Sequence, residues 1–259
     1  MLLCWVWLKA IESMANPYRP DGPSGLDPGG EMRHPADIQH MFERIARRYD
    51  WMNRLMTFGQ DLRWRREVIT HAQLGDGSRL LDLGAGTGDL SYEAIRQQPG
   101  CQVIAADFTL RMMQVGRRRP HSGSIAWVTA DALNLPFPDQ VFDTVVSGFL
   151  LRNVADLPRT LREQYRVLKP GGQIVALDTT RPDPDWLAPM INFHLHSLIP
   201  LLGQLFAGSR QAYTYLPAST DSFLSAQALA EQFRRAGFSE VGFRRRMFGT
   251  IAIHWGIKQ

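Results

Sequence analysis

The sequence predicts an α/β protein whose helices cover a doubly wound, mostly parallel sheet that is completed by an antiparallel C-terminal strand. Short apolar runs alternate with helical patterns between residues 79 and 180, which is typical of parallel strands joined by helices. A glycine turn at residues 84–88 follows the first run, at the sheet edge where such folds bind ligands. Residues 241–246 and 250–258 are predicted as two strands around Phe248-Gly249, a hairpin.

Length and composition predict one large core, because 44% of the 259 residues are hydrophobic. The 29 Lys and Arg residues against 25 Asp and Glu give a formal net charge of +4. Clustered arginines suit nucleic acid or anionic lipid, or they are solvated helix and strand faces. The clusters are Arg44, Arg47, Arg48, Arg63, Arg65 and Arg66, then Arg117 to Arg119, then Arg244 to Arg246. Two cysteines, Cys4 and Cys101, favour a reducing cytoplasm, and the dispersed histidines predict no metal site.

The first 35 residues predict an extension outside the folded domain. Residues 1–11 are apolar, but they lack the positive charge, the length and the cleavage site expected of a signal peptide. Residues 16–35 are rich in Pro and Gly and predict disorder. Met14 is an alternative start, which would leave residues 1–13 outside the protein. We expect a single domain over residues 36–259.

Two helical patterns lie within residues 36–75, before the glycine turn. Residues 38–45 place apolar side chains at helical spacing, and a second helix is predicted to begin at Asp61 as its N-cap and to end before Gly75. Because both precede the turn in the chain, we expect them to form a helical cover over the cofactor rather than part of the sheet.

The glycine turn indicates the class of ligand. Gly84, Gly86 and Gly88 follow the spacing Gly-x-Gly-x-Gly, whereas dinucleotide-binding turns and P-loops space their glycines differently. The carboxylate of Asp82, at the end of the preceding strand, would repel a pyrophosphate and attract an ammonium or sulfonium. The pattern therefore favours S-adenosylmethionine as cofactor, although such a turn can also be purely structural.

The next two strands end in further candidate residues. The run at residues 101–107 ends in Asp107, about twenty residues beyond the glycines, where a carboxylate holds both ribose hydroxyls of a bound adenosine. The run at residues 125–130 is followed by Asp131 and Ala132, which we expect beside the adenine. There the Asp131 carboxylate would accept from the exocyclic amine and the Ala132 amide would donate to the ring. Either acid could instead be a helix cap.

Two more strands complete the parallel part of the predicted sheet. The fourth covers residues 141–147, a helix runs from about 156 to 168, and Lys169-Pro170-Gly171-Gly172 breaks that helix before a fifth strand at 173–178. Ligands bind at the carboxyl ends of parallel strands. We therefore expect residues 147–153 and 178–181 to face the active site.

Residues 186–206 form an almost wholly apolar stretch. Pro189, Pro200 and several polar side chains interrupt it, so we do not expect a transmembrane helix. We predict that residues 184–222 form a lid over an apolar substrate, in contact with the membrane surface; a buried core helix is the alternative.

Several segments resemble the ubiquinone/menaquinone biosynthesis C-methyltransferase family. The most specific are Leu151-Arg152-Asn153-Val154 and Tyr215-Leu216-Pro217 with Ser219, and the likeness runs in order from about residue 36 to 258. The resemblance implies a class I, Rossmann-like methyltransferase fold and a polyprenyl quinol substrate. It also implies cofactor contacts at Thr87, Asp107, Asp131 and Ala132.

Two positions depart from the family's pattern. Gly148 stands where a serine commonly contacts the cofactor, with Ser147 one residue earlier, and we assign both to the cofactor site. The family's Glu-Phe-Ser after the fifth strand is Asp178-Thr179-Thr180 here. The second departure lies beside the predicted active site and leaves open a methyltransferase for another apolar small molecule.

Arg152 and Asn153 are the predicted catalytic residues. The permanent charge of Arg152 would stabilise a developing phenolate, and Asn153 would orient a ring oxygen. A structural salt bridge from Arg152 to Asp156 is the alternative. His194, His196 and Tyr215 are candidate bases by position only, and each suits a buried structural role at least as well.

Three functions remain open from the sequence. The first is S-adenosylmethionine-dependent conversion of demethylmenaquinol to menaquinol, or of a related quinol. The others are methylation of a different apolar molecule and quinone binding at the membrane without turnover. We expect a cytoplasmic protein in peripheral contact with the inner face of the membrane. No nucleic-acid partner is expected, since no aromatic stacking platform accompanies the arginines; homodimer formation is undetermined.

Overall fold

The computed structural model describes residues 35–46, 49–181, 219–220 and 222–259. They belong to one compact unit, Arg33–Gln259, built on a seven-stranded sheet. Its strands are β1 (Arg79–Leu83), β2 (Gln102–Asp107), β3 (Ile125–Thr129), β4 (Phe142–Gly148), β5 (Leu168–Thr179), β6 (Phe238–Arg246) and β7 (Ile251–Lys258). Their order across the sheet is β3-β2-β1-β4-β5-β7-β6, the first five being parallel and β7 antiparallel to both neighbours. The predicted fold class is confirmed.

Helices flank the strands in the predicted alternation. They are α1 (Pro35–Ile45), α2 (Tyr49–Met56), α3 (Gln60–His71), α4 (Asp89–Gln97), α5 (Leu110–Gly116), α6 (Leu157–Val167) and α7 (Ala226–Arg235). Asp156 and Ser225 are the N-caps of α6 and α7, because each side chain accepts a hydrogen bond from the backbone amide three residues later. The described helices include none that is long and apolar enough to cross a membrane.

Helix α3 differs from the prediction in its start and in its packing. Gly59, with φ 74°, is the N-cap. Asp61 lies buried in the first turn because its carboxylate is held by Arg65 at 2.7 Å and by the Thr57 hydroxyl at 3.1 Å. The apolar face of α3 packs on β1, β2, β4, β5 and β7 through Trp64, Val68, Ile69 and Ala72. This helix is therefore a layer of the sheet domain, which its position before the glycine turn did not indicate.

The break between α6 and β5 is shorter than predicted. β5 begins at Leu168, which pairs with Phe142, and the register shifts before Gln173 pairs with Thr144. Residues 169–172 form the irregularity, with Gly171 at φ 77°. Glycine allows this local twist without ending the strand.

Candidate active site

The glycine turn connects β1 to α4 and is held by the end of β2. The amides of Gly84 and Ala85 both donate to the carbonyl of Ala106, at 2.8 and 3.1 Å. Gly84, Gly86 and Gly88 all have positive φ. A Cβ on Gly88 would lie 2.6 Å from Trp127. Both conformation and space therefore require glycine here.

Asp107 closes the turn from the neighbouring strand. Its Oδ2 accepts from the Gly86 amide at 2.8 Å and its Oδ1 from the Thr109 amide at 2.7 Å. Burial raises the pKa of this carboxyl. The Thr109 hydroxyl and the Phe108 amide also hydrogen-bond to this carboxylate. The structure thus places Asp107 at the turn, where the sequence predicts the ribose.

Asp82 and Ser147 each carry a buried polar atom that has no partner among the described residues. Oδ2 of Asp82 accepts from the amide and hydroxyl of Ser91 at 3.0 and 2.6 Å, whereas Oδ1 accepts nothing. The Ser147 hydroxyl, on the adjacent strand β4, is likewise unpartnered. Burial raises the pKa of Asp82 to about 7. Buried polar atoms are normally satisfied, and an open backbone turn beside a buried carboxylate fits S-adenosylmethionine.

The other predicted cofactor residues lie around the same edge of the sheet. Asp131 follows β3, is exposed, and accepts from the Leu133 amide at 2.9 Å, so it stabilises a loop rather than a helix end. Ala132 beside it is half-buried. At Gly148 a Cβ would lie 3.2 Å from Leu90, which leaves little space for the serine that the family commonly has there.

Arg152 is held in a buried ion pair whose partner is not the one considered from the sequence. Its Nη1 donates to Oδ1 of Asp178 at 2.6 Å, and the two side chains are only 3% and 1% exposed. Its guanidinium also lies over the ring of Phe149, 5.1 Å from the centroid. Asp156 instead caps α6. The altered segment Asp178-Thr179-Thr180 therefore begins with the residue that fixes Arg152.

Two donors near this ion pair bear on the predicted chemistry. Nε of Arg152 is buried and has no partner among the described residues. Nδ2 of Asn153 donates to the carbonyl of Phe149 at 2.8 Å, which holds the turn that carries both predicted catalytic residues. A buried guanidinium with an unused donor can bind an oxygen on which negative charge develops.

Helix α2 brings residues to this site that the sequence did not single out as functional. Oδ1 of Asp50 accepts from the Thr87 hydroxyl at 2.7 Å and so connects α2 to the glycine turn. Tyr49 is half-buried, and desolvation raises the pKa of its phenol, an effect that Asn53 and the charges of Arg152 and Arg65 oppose. Tyr49-Asp50 lay within the family resemblance, and that was the one signal available for them.

Many of the clustered arginines form internal ion pairs. Asp89 binds Arg119 at 2.6 Å, Arg65 at 3.4 Å and Arg54 at 3.6 Å. Arg244 and Arg246 bind Glu67 of α3, at 3.2 and 3.0 Å. These contacts favour the structural interpretation for those residues. His194, His196, Tyr215, residues 1–34 and the apolar stretch at 186–206 lie outside the described residues.

The strand order, the antiparallel β7 and the glycine turn closed by Asp107 define a class I methyltransferase. A S-adenosylmethionine-dependent methyltransferase of Thermotoga maritima has this fold, with a TM-score of 0.62 and 20% identity over 86% of this chain and 100% of its own. The chain belongs to the ubiE/COQ5 methyltransferase family, whose model matches residues 31–258.

Two relatives of known name are similar over most of the chain. The ubiquinone/menaquinone biosynthesis C-methyltransferase of Desulfotalea psychrophila is 46% identical over 85% of this chain and 90% of its own. The demethylmenaquinone methyltransferase of Thermus thermophilus is 42% identical over 83% and 99%. The predicted family, enzyme class and cofactor, S-adenosylmethionine, are confirmed.

Proposed function

We propose that this chain methylates a ring carbon of a polyprenyl quinol, with demethylmenaquinol as its substrate and menaquinol as the product. The observation that carries the proposal is the buried Arg152, fixed by Asp178 at the carboxyl end of β5 and left with an unused Nε donor. A ring carbon attacks a methyl group only when a ring oxygen donates electrons, and a cation at that oxygen favours the phenolate.

S-adenosylmethionine supplies the electrophilic methyl group, and the new bond joins that methyl to the ring carbon while the sulfur–methyl bond breaks. The glycine turn, Asp107 and Asp82 would hold the cofactor, and Arg152 would hold the ring oxygen in line with it. Alignment of two reactants can supply about 7 kcal/mol or more of the barrier. The ring carbon would then lose its proton to water, which restores the aromatic quinol, and the cofactor would leave as the demethylated thioether.

A different apolar substrate is the second candidate function. The observation that favours it is Asp178 in place of the family's glutamate, because Asp178 binds Arg152 directly and a side chain one methylene shorter would hold the guanidinium closer to β5. That shift would move the donor relative to a bound ring. We also propose peripheral contact with a membrane, where a polyprenyl quinol resides.

Methyl transfer from labelled S-adenosylmethionine to reduced demethylmenaquinol in detergent tests the proposal. The benzoquinol precursor is assayed in parallel, and mass spectrometry of the lipid locates the added methyl. Methylation at a ring carbon is the expected result, and the ratio of the two rates ranks the quinols. Cofactor binding without transfer to either quinol would refute the proposal and favour the second candidate.

A further inference from the structure

Several side chains along α2, the turn at residues 57–59 and the start of α3 reach the solvent and form a row in the sequence. It consists of Trp51, Arg54, Phe58, Leu62 and Arg66, spaced three or four residues apart; Arg54 is half-buried and the other four are exposed. The apolar members are 51%, 72% and 37% exposed in chain order. They are three of the six large hydrophobic side chains that are exposed among the described residues, although the row spans only sixteen positions. This concentration indicates a surface that contacts something outside the chain.

The conformation of Phe58 supports that interpretation. Its φ is 52°, in the left-handed region where glycine or asparagine is the ordinary choice. Gly59, next to it, also has positive φ.

A basic cavity opens beside the row. It has a volume of about 200 Å³, and its lining includes five arginines but only two acids, Asp89 and Glu93. The arginines are Arg54, Arg65, Arg66, Arg96 and Arg119. Arg54, Leu62 and Arg66 belong both to the row and to the cavity wall. The cavity would hold several waters of about 30 Å³ each, and so it has room for a phosphate group.

Asp89 organises the cavity without neutralising it. Its carboxylate holds Arg54, Arg65 and Arg119 within 3.6 Å, so these guanidinium groups are fixed before any ligand arrives. Arg96 is paired with Glu93. Arg65 is also paired with Asp61 at 2.7 Å, and Arg119 lies 4.0 Å from Asp50, so four carboxylates face the five arginines and a single net positive charge remains. Guanidinium groups bind phosphate oxygens through paired donors.

We infer that this surface docks onto an anionic phospholipid bilayer, with a headgroup phosphate entering the arginine-lined cavity. Trp51, Phe58 and Leu62 insert into the interface while Arg54 and Arg66 contact the headgroups. Apolar and aromatic anchors interleaved with arginines are typical of interfacial membrane binding. The inference rests on the proposed function, because a polyprenyl quinol is drawn from a membrane.

Vesicle sedimentation of the full chain tests the docking surface. Vesicles are phosphatidylcholine alone or with about 30% phosphatidylglycerol, and the protein should bind the second kind and be released by added salt. Arg66→Gln should weaken binding about fivefold, and Phe58→Ser about tenfold or more. The matched controls are Arg235→Gln on α7 and Phe248→Ser, whose phenylalanine is 64% exposed at φ 54°. Both controls should bind like the unchanged protein.

Three outcomes would overturn the inference. They are equal binding to both kinds of vesicle, no binding to either, and binding of single-stranded RNA that Arg66→Gln abolishes. A short-chain, water-soluble quinol separates this test from that of the proposed function. Phe58→Ser and Arg66→Gln should methylate it at the unchanged rate, which also shows that they fold. If the unchanged protein methylates no quinol, the proposed function is refuted, and the vesicle experiment still tests the docking surface by itself.

Discussion

Replacing Asp178 by asparagine should separate the role of Arg152 in the reaction from cofactor binding. The Asp178 carboxylate accepts from Nη1 of Arg152 at 2.6 Å, from the Arg152 amide at 3.3 Å and from the Thr179 amide at 2.8 Å. An asparagine has one acceptor oxygen, so its NH₂ group must face a donor in either orientation. Asp178→Asn therefore leaves a buried guanidinium without its counter-charge.

The magnitude follows from the burial of the pair. Removing one partner of a buried ion pair costs about 3–5 kcal/mol, and the remaining amide oxygen places Asp178→Asn near the lower limit. We expect the free energy of unfolding to fall by about 3 kcal/mol. Loss of one preorganised donor costs about 100-fold or more in kcat. The KM for S-adenosylmethionine should change less than about twofold, because Asp178 does not contact the glycine turn.

Urea unfolding and steady-state kinetics measure these quantities. Asp143→Asn is the matched control, since Asp143 binds Lys169 at the same 2.6 Å but the two side chains are 37% and 39% exposed. It should cost less than about 1 kcal/mol and leave kcat unchanged. Asp178→Glu, which restores the family's carboxylate, should recover most of kcat. A parallel loss of kcat and cofactor affinity in Asp178→Asn would refute the reasoning, as would unchanged kcat.

Three further predictions concern the glycine turn and two buried titrating groups. Gly88→Ala should lower the free energy of urea unfolding by about 2 kcal/mol or more, because φ of Gly88 is 82° and a Cβ would lie 2.6 Å from Trp127. The control Gly59→Ala should cost about 1 kcal/mol, because φ of Gly59 is 74° but no atom lies within 4 Å of the added Cβ. Burial raises the pKa of Asp82 to about 7, so protonated Asp82 stabilises the fold fully below pH 4, and this stabilisation is lost as pH rises through 7. The free energy of unfolding should change by about 4 kcal/mol across this range. Unfolding measured at pH 4–8 should show no such change in Asp82→Asn. Burial lowers the pKa of His254 to about 4, so neutral His254 stabilises the fold fully above pH 6.5, and this stabilisation is lost as pH falls through 4. The free energy of unfolding should fall by about 3 kcal/mol over this range, and His254→Gln should remove that fall. An acid unfolding profile unchanged in His254→Gln would contradict the prediction.

The parallel sheet was predictable because its signals are local. Each strand is a short apolar run, and each ends in a residue whose type suits a ligand, as Asp107 does. The register then follows from the fold class: Asp82 pairs with Ala105 and Asp107 with Thr129, which brings the strand ends to one edge. Family resemblance supplied the rest of the candidate site, including Arg152 and Asn153.

The start of α3 was not predictable in the same way. Aspartate is a favourable N-cap residue, but in the folded chain the Asp61 carboxylate accepts hydrogen bonds from the side chains of Arg65 and Thr57. The helical spacing of the apolar residues likewise predicted that Val68, Ile69 and Ala72 share a face, without showing what that face would cover. Packing partners far apart in the chain decided both outcomes.

The sequence by itself determined the fold class, the glycine turn, the cofactor and the family, because each depends on residue types at short, fixed spacings. Only the tertiary structure decided where the charges go. Arg152 has a carboxylate four residues away at Asp156 and takes one twenty-six residues away at Asp178. Arg119 and Arg246 are paired internally, while Arg66 stays on an exposed face beside Phe58. An ion pair is chosen by which groups are buried together, and burial is a property of the folded chain.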